Sequence, residues 1–150
     1  MLLGIISDTH GLLRPGVAET FRNVDRILHA GDIDRPAILD ALSEIAPVVA
    51  VRGNMDGGWA GQIPSTAAVP VGEGAIYLLH DLGTLDLTPS VAGFDAVVYG
   101  HTHRPAIDRQ DGVLYLNPGA AGPRRRHPPS VALLRVTETE MIPEIIVLAE

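Results

Sequence analysis

Cysteine and lysine are both absent from these 150 residues, and aromatic residues make up only 4% of them. Without cysteine there are no disulfides and no thiolate metal sites, which leaves His, Asp, Glu and Asn as the ligand types. No apolar run approaches the ~18 residues needed to cross a bilayer, so no membrane partner is expected. The apolar start at residues 1–6 has no basic lead-in and runs straight into Asp8, unlike a signal peptide, which makes the cytoplasm the expected location. All eleven basic residues are Arg, a bias that reads as genomic base composition more than chemistry. A net charge of -7 argues against general nucleic-acid binding, although a local basic loop would still be able to hold a phosphate.

What remains is a 46% hydrophobic chain, expected to fold as one domain over residues 1–150. Short apolar runs at residues 2–6, 26–30, 47–52, 66–71, 75–79, 95–99, 106–109, 113–116, 131–136 and 141–148 read as strands. Pro15, ahead of Val17, Phe21 and Val24, opens one helix. Asp34-Arg35-Pro36 opens a second, reaching about residue 46, and Thr88-Pro89-Ser90 offers a third start. Strand–helix alternation over residues 1–52 predicts parallel pairing there, and Pro143 confines the last strand to an edge or a bulge. About ten strands with two or three helices do not fit one sheet covered on both faces. Two sheets packed face to face with helices outside would hide every apolar face.

In such sheets ligands bind beyond the carboxyl ends of the parallel strands. Asp8 and His10 follow the first run, Asp32 the second, Asn54 the third, His80 the fifth, and His101 and His103 the sixth. Each alone is ordinary turn chemistry, and His29, inside its strand, reads as a core or supporting histidine. Five of the first six strand ends with metal-competent side chains are harder to assign to turns. If the backbone stays extended, the i, i+2 spacing of His101 and His103 turns both rings to the same side, and Gly100 before them permits a tight turn and close approach. Oxygen and imidazole donors suit Mn, Fe or Zn better than a pure Mg or Ca site. Seven side chains exceed what one tetrahedral ion takes. Two ions sharing a carboxylate use them fully, and metals paired ~3.5 to 4 Å apart are an arrangement that hydrolyses phosphate esters.

The ordered motifs Asp8-x-His10, Gly31-Asp32, Gly53-Asn54-x-Asp56, His80 and Gly100-His101-Thr102-His103 resemble the calcineurin-like metallophosphoesterases over nearly the whole chain. The Ser7-Asp8-Thr9-His10-Gly11 opening and the Asn117-Pro118-Gly119 loop are similar to the small phosphodiesterase branch, which also contains a retromer subunit of this fold. The resemblance implies an α/β fold: a four-layer αββα sandwich of two mixed β-sheets flanked by helices. It also implies two divalent ions, Mn before Fe, Zn or Ni. It puts Asp8, His10 and His103 on one metal, Asn54, His80 and His101 on the other, and Asp32 between them. The implied activity is phosphodiester hydrolysis of a small phosphate-ester substrate, by in-line attack of a metal-bridging hydroxide, with Asp32 and Asn54 in the catalytic centre. The alternative is a non-catalytic protein-interaction scaffold of the same fold.

Two departures from the family pattern matter. Met55 stands where many members carry a histidine that steers phosphate or protonates the leaving group. A thioether cannot transfer a proton, so slow turnover of alkyl esters is expected. His80 is followed by Asp81-Leu82 where the branch often has Gly-His, which changes the local substrate wall. Among the other candidates, Asp56 is read as orienting a ligand imidazole or capping a turn, and Asn117 as lining the site or forming an Asn-Pro turn. Arg14, Arg52 and Arg104 lie beside the motifs and are read either as gripping a substrate phosphate or as ordinary exposed arginines. Arg124-Arg125-Arg126-His127, the one dense basic run, is read as a solvated loop, with a flap over an anionic substrate or a subunit contact as the alternatives. The last strand's exposed edge and the apolar composition are compatible with a homo-oligomer.

Overall fold

In the computed structural model, described over residues 1–149, ten strands form two five-stranded sheets. They are β1 (Leu2–Ile6), β2 (Arg26–His29), β3 (Val48–Ala50), β4 (Thr66–Val71), β5 (Gly74–Leu79), β6 (Ala96–Val98), β7 (Ala106–Gln110), β8 (Val113–Asn117), β9 (Ser130–Val136) and β10 (Met141–Val147). The first sheet runs β10-β9-β1-β2-β3 and the second β4-β5-β6-β8-β7. As the strand–helix alternation predicts, β1, β2 and β3 pair in parallel. In the second sheet β5, β6 and β8 are parallel, with β4 and β7 antiparallel on the two edges. Pro143 does sit on an edge strand. It lies opposite Leu134 in an unbroken register, so the edge is not bulged.

Helices α1 (Pro15–Thr20), α2 (Pro36–Ser43) and α3 (Pro89–Ala92) each begin with proline, whose fixed φ suits the first helical position and whose missing N–H costs nothing there. The second stops at Ser43, before residue 46, because Pro47 disfavours helical backbone in the residue ahead of it. A turn bonding Ala46 N–H to Leu42 O covers the remainder.

β1 shows how the layers are built. Leu3 and Ile5 point between the sheets, where they meet Leu28, Leu78, Val98, Leu116 and Leu134, while Ile6 turns outward to Val17, Phe21, Ile38 and Leu42 of the helical side. Burial of each such side chain stabilises the fold by about 1.5–3 kcal/mol. The outer face of the second sheet is covered more thinly than four full layers imply. Leu82 of a 3₁₀ turn at Leu82–Thr84, Leu85 and Leu87 of the stretch leading to the short α3, and Phe94 just after it pack on Tyr77, Leu79, Val97 and Val113. Gly93, in left-handed backbone, ends α3 after a single turn. No helix among the described residues is long and apolar enough to cross a membrane. Stacking the sheets this way brings the carboxyl ends of β1, β2, β3, β5 and β6 to one end of the sandwich.

Candidate metal centre

At that end the chain kinks at most of the side chains it presents. Asp8 (φ 54°), His10 (45°), Asp32 (56°), His101 (71°) and His103 (63°) all occupy left-handed backbone, which few residues other than glycine adopt. The extended geometry expected for His101 and His103 is therefore replaced by two successive kinks, and the rings diverge. The His103 ring lies 5.2 Å from that of His10, and the His101 ring 5.2 Å from that of His80. Gly100 serves close approach rather than a left-handed turn. A Cβ there would run into Ser7 Oγ and come within 2.6 Å of Asp8 Oδ2.

Each converging group is held from behind so that one atom stays free in front. Asp8 Oδ2 accepts from Ser7 Oγ–H at 2.7 Å and from His101 N–H at 3.1 Å, leaving Oδ1 forward. Asp32 Oδ1 accepts from Met55 N–H at 2.9 Å, leaving Oδ2. His80 donates Nδ1–H to Ala30 O at 2.7 Å, and His10 Nδ1 faces Asp34 Oδ2 at 3.3 Å. These acceptors place the proton on Nδ1 in both rings and turn the Nε2 lone pairs inward.

The free atoms crowd together. Asp8 Oδ1 lies 3.2 Å from His103 Nε2, 3.7 Å from His10 Nε2 and 4.0 Å from His80 Nε2. Asp32 Oδ2 lies 3.3 Å from His80 Nε2 and 3.9 Å from His10 Nε2, so it too stands between imidazoles. His10 and His103 bring their Nε2 atoms to 3.3 Å of each other. Asp8 Oδ1 and His80 Nε2 are buried with no hydrogen-bond partner among the described residues. Two overlapping sets result, Asp8–His10–His103 and Asp8–Asp32–His80, each able to aim its ligand atoms at one point. Buried lone pairs facing one another across 3–4 Å need a cation or protons between them, and a hard or borderline divalent cation fits this oxygen and imidazole donor set.

Titration behaviour follows the same crowding. Burial pushes the Asp8 carboxyl up, but His10, Ser7 and the nearby imidazoles outweigh it and hold the group below the usual carboxylate range. Burial likewise raises Asp32, and His80 together with the Met55 N–H brings it down. His10 is raised, chiefly by Asp8, against burial. Burial lowers His80, yet Asp32 and Asp8 raise it overall. His103 moves down through burial, with the Arg125 and His10 charges in the same direction.

Asn54 and His101 are exposed at the rim, and His101 Nε2 is 3.9 Å from Asp81 Oδ2, on the residue that departs from the family pattern. Asp56 does not touch a ligand imidazole. It accepts from Ile33 N–H and Asp34 N–H at 2.9 Å and from Gly53 N–H at 2.8 Å, tying the Asp32 loop to the Asn54 loop. Asn117 is buried behind the His101–His103 turn, donating to Gly100 O and Thr102 Oγ1 at 3.0 Å while its own Oδ1 accepts from Gly119 N–H. Arg14 donates from Nε and Nη2 to Gly122 O, 3.1 Å each, and so braces a loop instead of facing a phosphate. Arg52 likewise donates to Ile63 O, at 3.4 Å. Arg104 is exposed and is not among the residues that line the cleft.

In the sequence Asp34 reads as a helix opener, whereas in the structure its Oδ2 faces His10 Nδ1; its place two residues after Asp32 is the signal of that role. The supporting histidine, His29, accepts Gly31 N–H at Nδ1 and meets Thr9 Oγ1 at 3.1 Å, and complete burial lowers its pKa to about 4. The basic run is an irregular segment with Arg124, Arg125 and Arg126 exposed, as a solvated loop is, and Arg125, Arg126 and the half-buried His127 also line a cleft of about 460 Å³ together with His10, Asp32, Asn54, Met55, His101, Thr102 and His103.

The chain belongs to the calcineurin-like phosphoesterase superfamily, whose domain model matches residues 1–139. It is 35% identical to a probable metallophosphoesterase of Methanothermobacter thermautotrophicus, an alignment covering 97% of this chain and 92% of the relative. Among solved structures, an archaeal phosphodiesterase aligns with a TM-score of 0.78 at 25% identity, over 97% of this chain and all of that one. Vps29 of Chaetomium thermophilum aligns with the same TM-score at 19% identity, over 97% of each chain, and so shares the fold.

Proposed function

We propose that the protein is a dinuclear-metal phosphodiesterase acting on a small anionic ester. Asp8, His10 and His103 would hold one cation, Asn54, His80 and His101 the other, with Asp32 between them. When bound, two divalent ions, Mn first and Fe, Zn or Ni otherwise, would supply positive charge for the phosphate and lower the pKa of a nearby water. The protein's own part is positioning. Ser7 and the His101 N–H fix Asp8, Met55 N–H fixes Asp32, Ala30 O fixes the His80 tautomer and Asp34 that of His10. Arg125 and Arg126 bring positive charge to the wall of the cleft, complementary to a phosphate diester.

One observation carries this reading: side-chain atoms of Asp8, Asp32, His10, His80 and His103 converge at separations of 3.2–4.0 Å, and of these Asp8 Oδ1 and His80 Nε2 are buried with no hydrogen-bond partner among the described residues. The test is hydrolysis of an aryl phosphodiester against its monoester by metal-stripped protein, before and after Mn²⁺, with Asp32→Ala as the control. The expected result is diester hydrolysis that Mn²⁺ restores and the variant lacks. Folded protein inert with every divalent ion would make it a non-catalytic scaffold.

A further inference from the structure

We infer that His127 donates the proton to the leaving group, a role that rests on the phosphodiesterase reading of this cleft. Departure of an alkoxide from phosphorus needs a proton, and few of the cleft's side chains have one to give. Arg125 and Arg126 stay charged. Asn54 and Thr102 are poor acids and the Met55 thioether has no proton, although its side chain stands 60% exposed in the same cleft. His10, His101 and His103 belong to the proposed ligand set. That leaves His127, a half-buried imidazole with no hydrogen bond or ion pair among the described residues.

The segment that carries it is anchored at both ends. Ala121 N–H bonds Ser7 O at 3.0 Å and Gly122 N–H bonds Asp8 O at 3.2 Å, directly beside the ligand-bearing end of β1. A Cβ on Gly122 would collide with Thr9 O, so the loop lies against that backbone as closely as glycine allows. Arg14 clamps Gly122 O from the other side. Beyond His127, Pro128 restricts the histidine to extended backbone. Ser130 then closes the loop base through Pro118 O at 2.7 Å and Ala120 O at 3.0 Å.

As the oxygen of water bonds to phosphorus, the bond from phosphorus to the departing ester oxygen breaks and its electron pair stays on that oxygen. The oxygen takes the proton from the His127 imidazolium and leaves as an alcohol. A proton released by the attacking water restores the imidazolium, and the other product is a phosphomonoester. The slow alkyl turnover expected from Met55 alone is thereby replaced by competent hydrolysis of alkyl diesters.

The test compares kcat/KM of the Mn²⁺-loaded wild type and His127→Gln on an alkyl and a 4-nitrophenyl diester, with the thermal midpoint as a check of the fold. The variant is expected to lose about 100-fold or more on the alkyl diester and little on the nitrophenyl ester, whose leaving group departs unprotonated. Free imidazole should restore alkyl hydrolysis in His127→Gly. Equal losses on both esters would make His127 a binding residue and overturn the assignment, as would no loss on either, and in both cases the phosphodiesterase reading stands. A wild type that cleaves neither ester with any divalent ion removes that reading and the role of His127 with it.

Discussion

At the end of the sandwich away from the candidate centre, the two sheets open into a groove of about 1150 Å³, more than twice the 460 Å³ of the cleft beside His10 and His103. The larger hollow has more acids on its walls and less chemistry. Glu73, Glu138 and Glu140 are exposed, Asp95 accepts from Ala75 N–H, and Arg109 donates to Met141 O, so these charges lie in water or on backbone groups. At the ligand end the carboxylates of Asp8 and Asp32 are buried, and each uses one oxygen on local donors while the other faces imidazole lone pairs. The distinguishing feature is an electrostatic deficit held in place by the fold, not size or the number of acids.

The contrast can be broken most sharply with metal. At Mn²⁺ about a thousandfold above its dissociation constant, binding should stabilise the protein by about 4 kcal/mol, a rise in thermal midpoint of roughly 10 °C at this size. Asp32→Asn should abolish the rise; equal midpoints for stripped and loaded wild type would erase the distinction between the two ends. Asp56→Ala leaves the N–H groups of Ile33, Asp34 and Gly53 without their carboxylate, so denaturant unfolding should show a loss of about 3 kcal/mol.

His29 sharpens the contrast through pH. Its folded pKa is about 4, against an ordinary 6.5, so between those values the unfolded chain binds a proton that the folded one refuses. Stability of the metal-free protein should fall as pH drops through that window, by on the order of 3 kcal/mol, and His29→Asn should flatten that part of the profile. Asp34→Ala frees the His10 ring and should weaken Mn²⁺ binding by about 10- to 100-fold in calorimetric titration. Glu138→Gln, at the other end, should change stability by less than about 0.5 kcal/mol and leave Mn²⁺ binding untouched.

Much of this was legible in the order of residues. Strand positions, the parallel first half and the clustering of Asp8, Asp32, His80 and His103 follow from short apolar runs that each end in a polar turn, a local pattern. The thin cover on the second sheet was not, since Pro89 announces a helix without saying that Gly93 ends it one turn later. Nor was the role of Asp34, or the placement of Arg125 to His127, which depends on Ala121 and Gly122 bonding to the backbone of Ser7 and Asp8, more than a hundred positions earlier. Arg14 misled for the same reason, because its partner Gly122 is equally remote.

The position of β1 reaches beyond the finished protein. The strand ending at Asp8 is bordered by β2 on one side and, on the other, by β9, with Leu2 opposite Arg135 and Ile5 opposite Ala132. A chain emerging from the ribosome can pair β1 with β2 and β3 early, but that sheet stays open along one flank until Ser130–Val136 has been synthesised. Through most of translation the first acid of the centre therefore sits on an unprotected strand edge, prone to pairing with a neighbouring chain. Ribosome-stalled lengths ending before and after β9 should differ abruptly in protease resistance, with the segment around Asp8 gaining protection only in the longer ones.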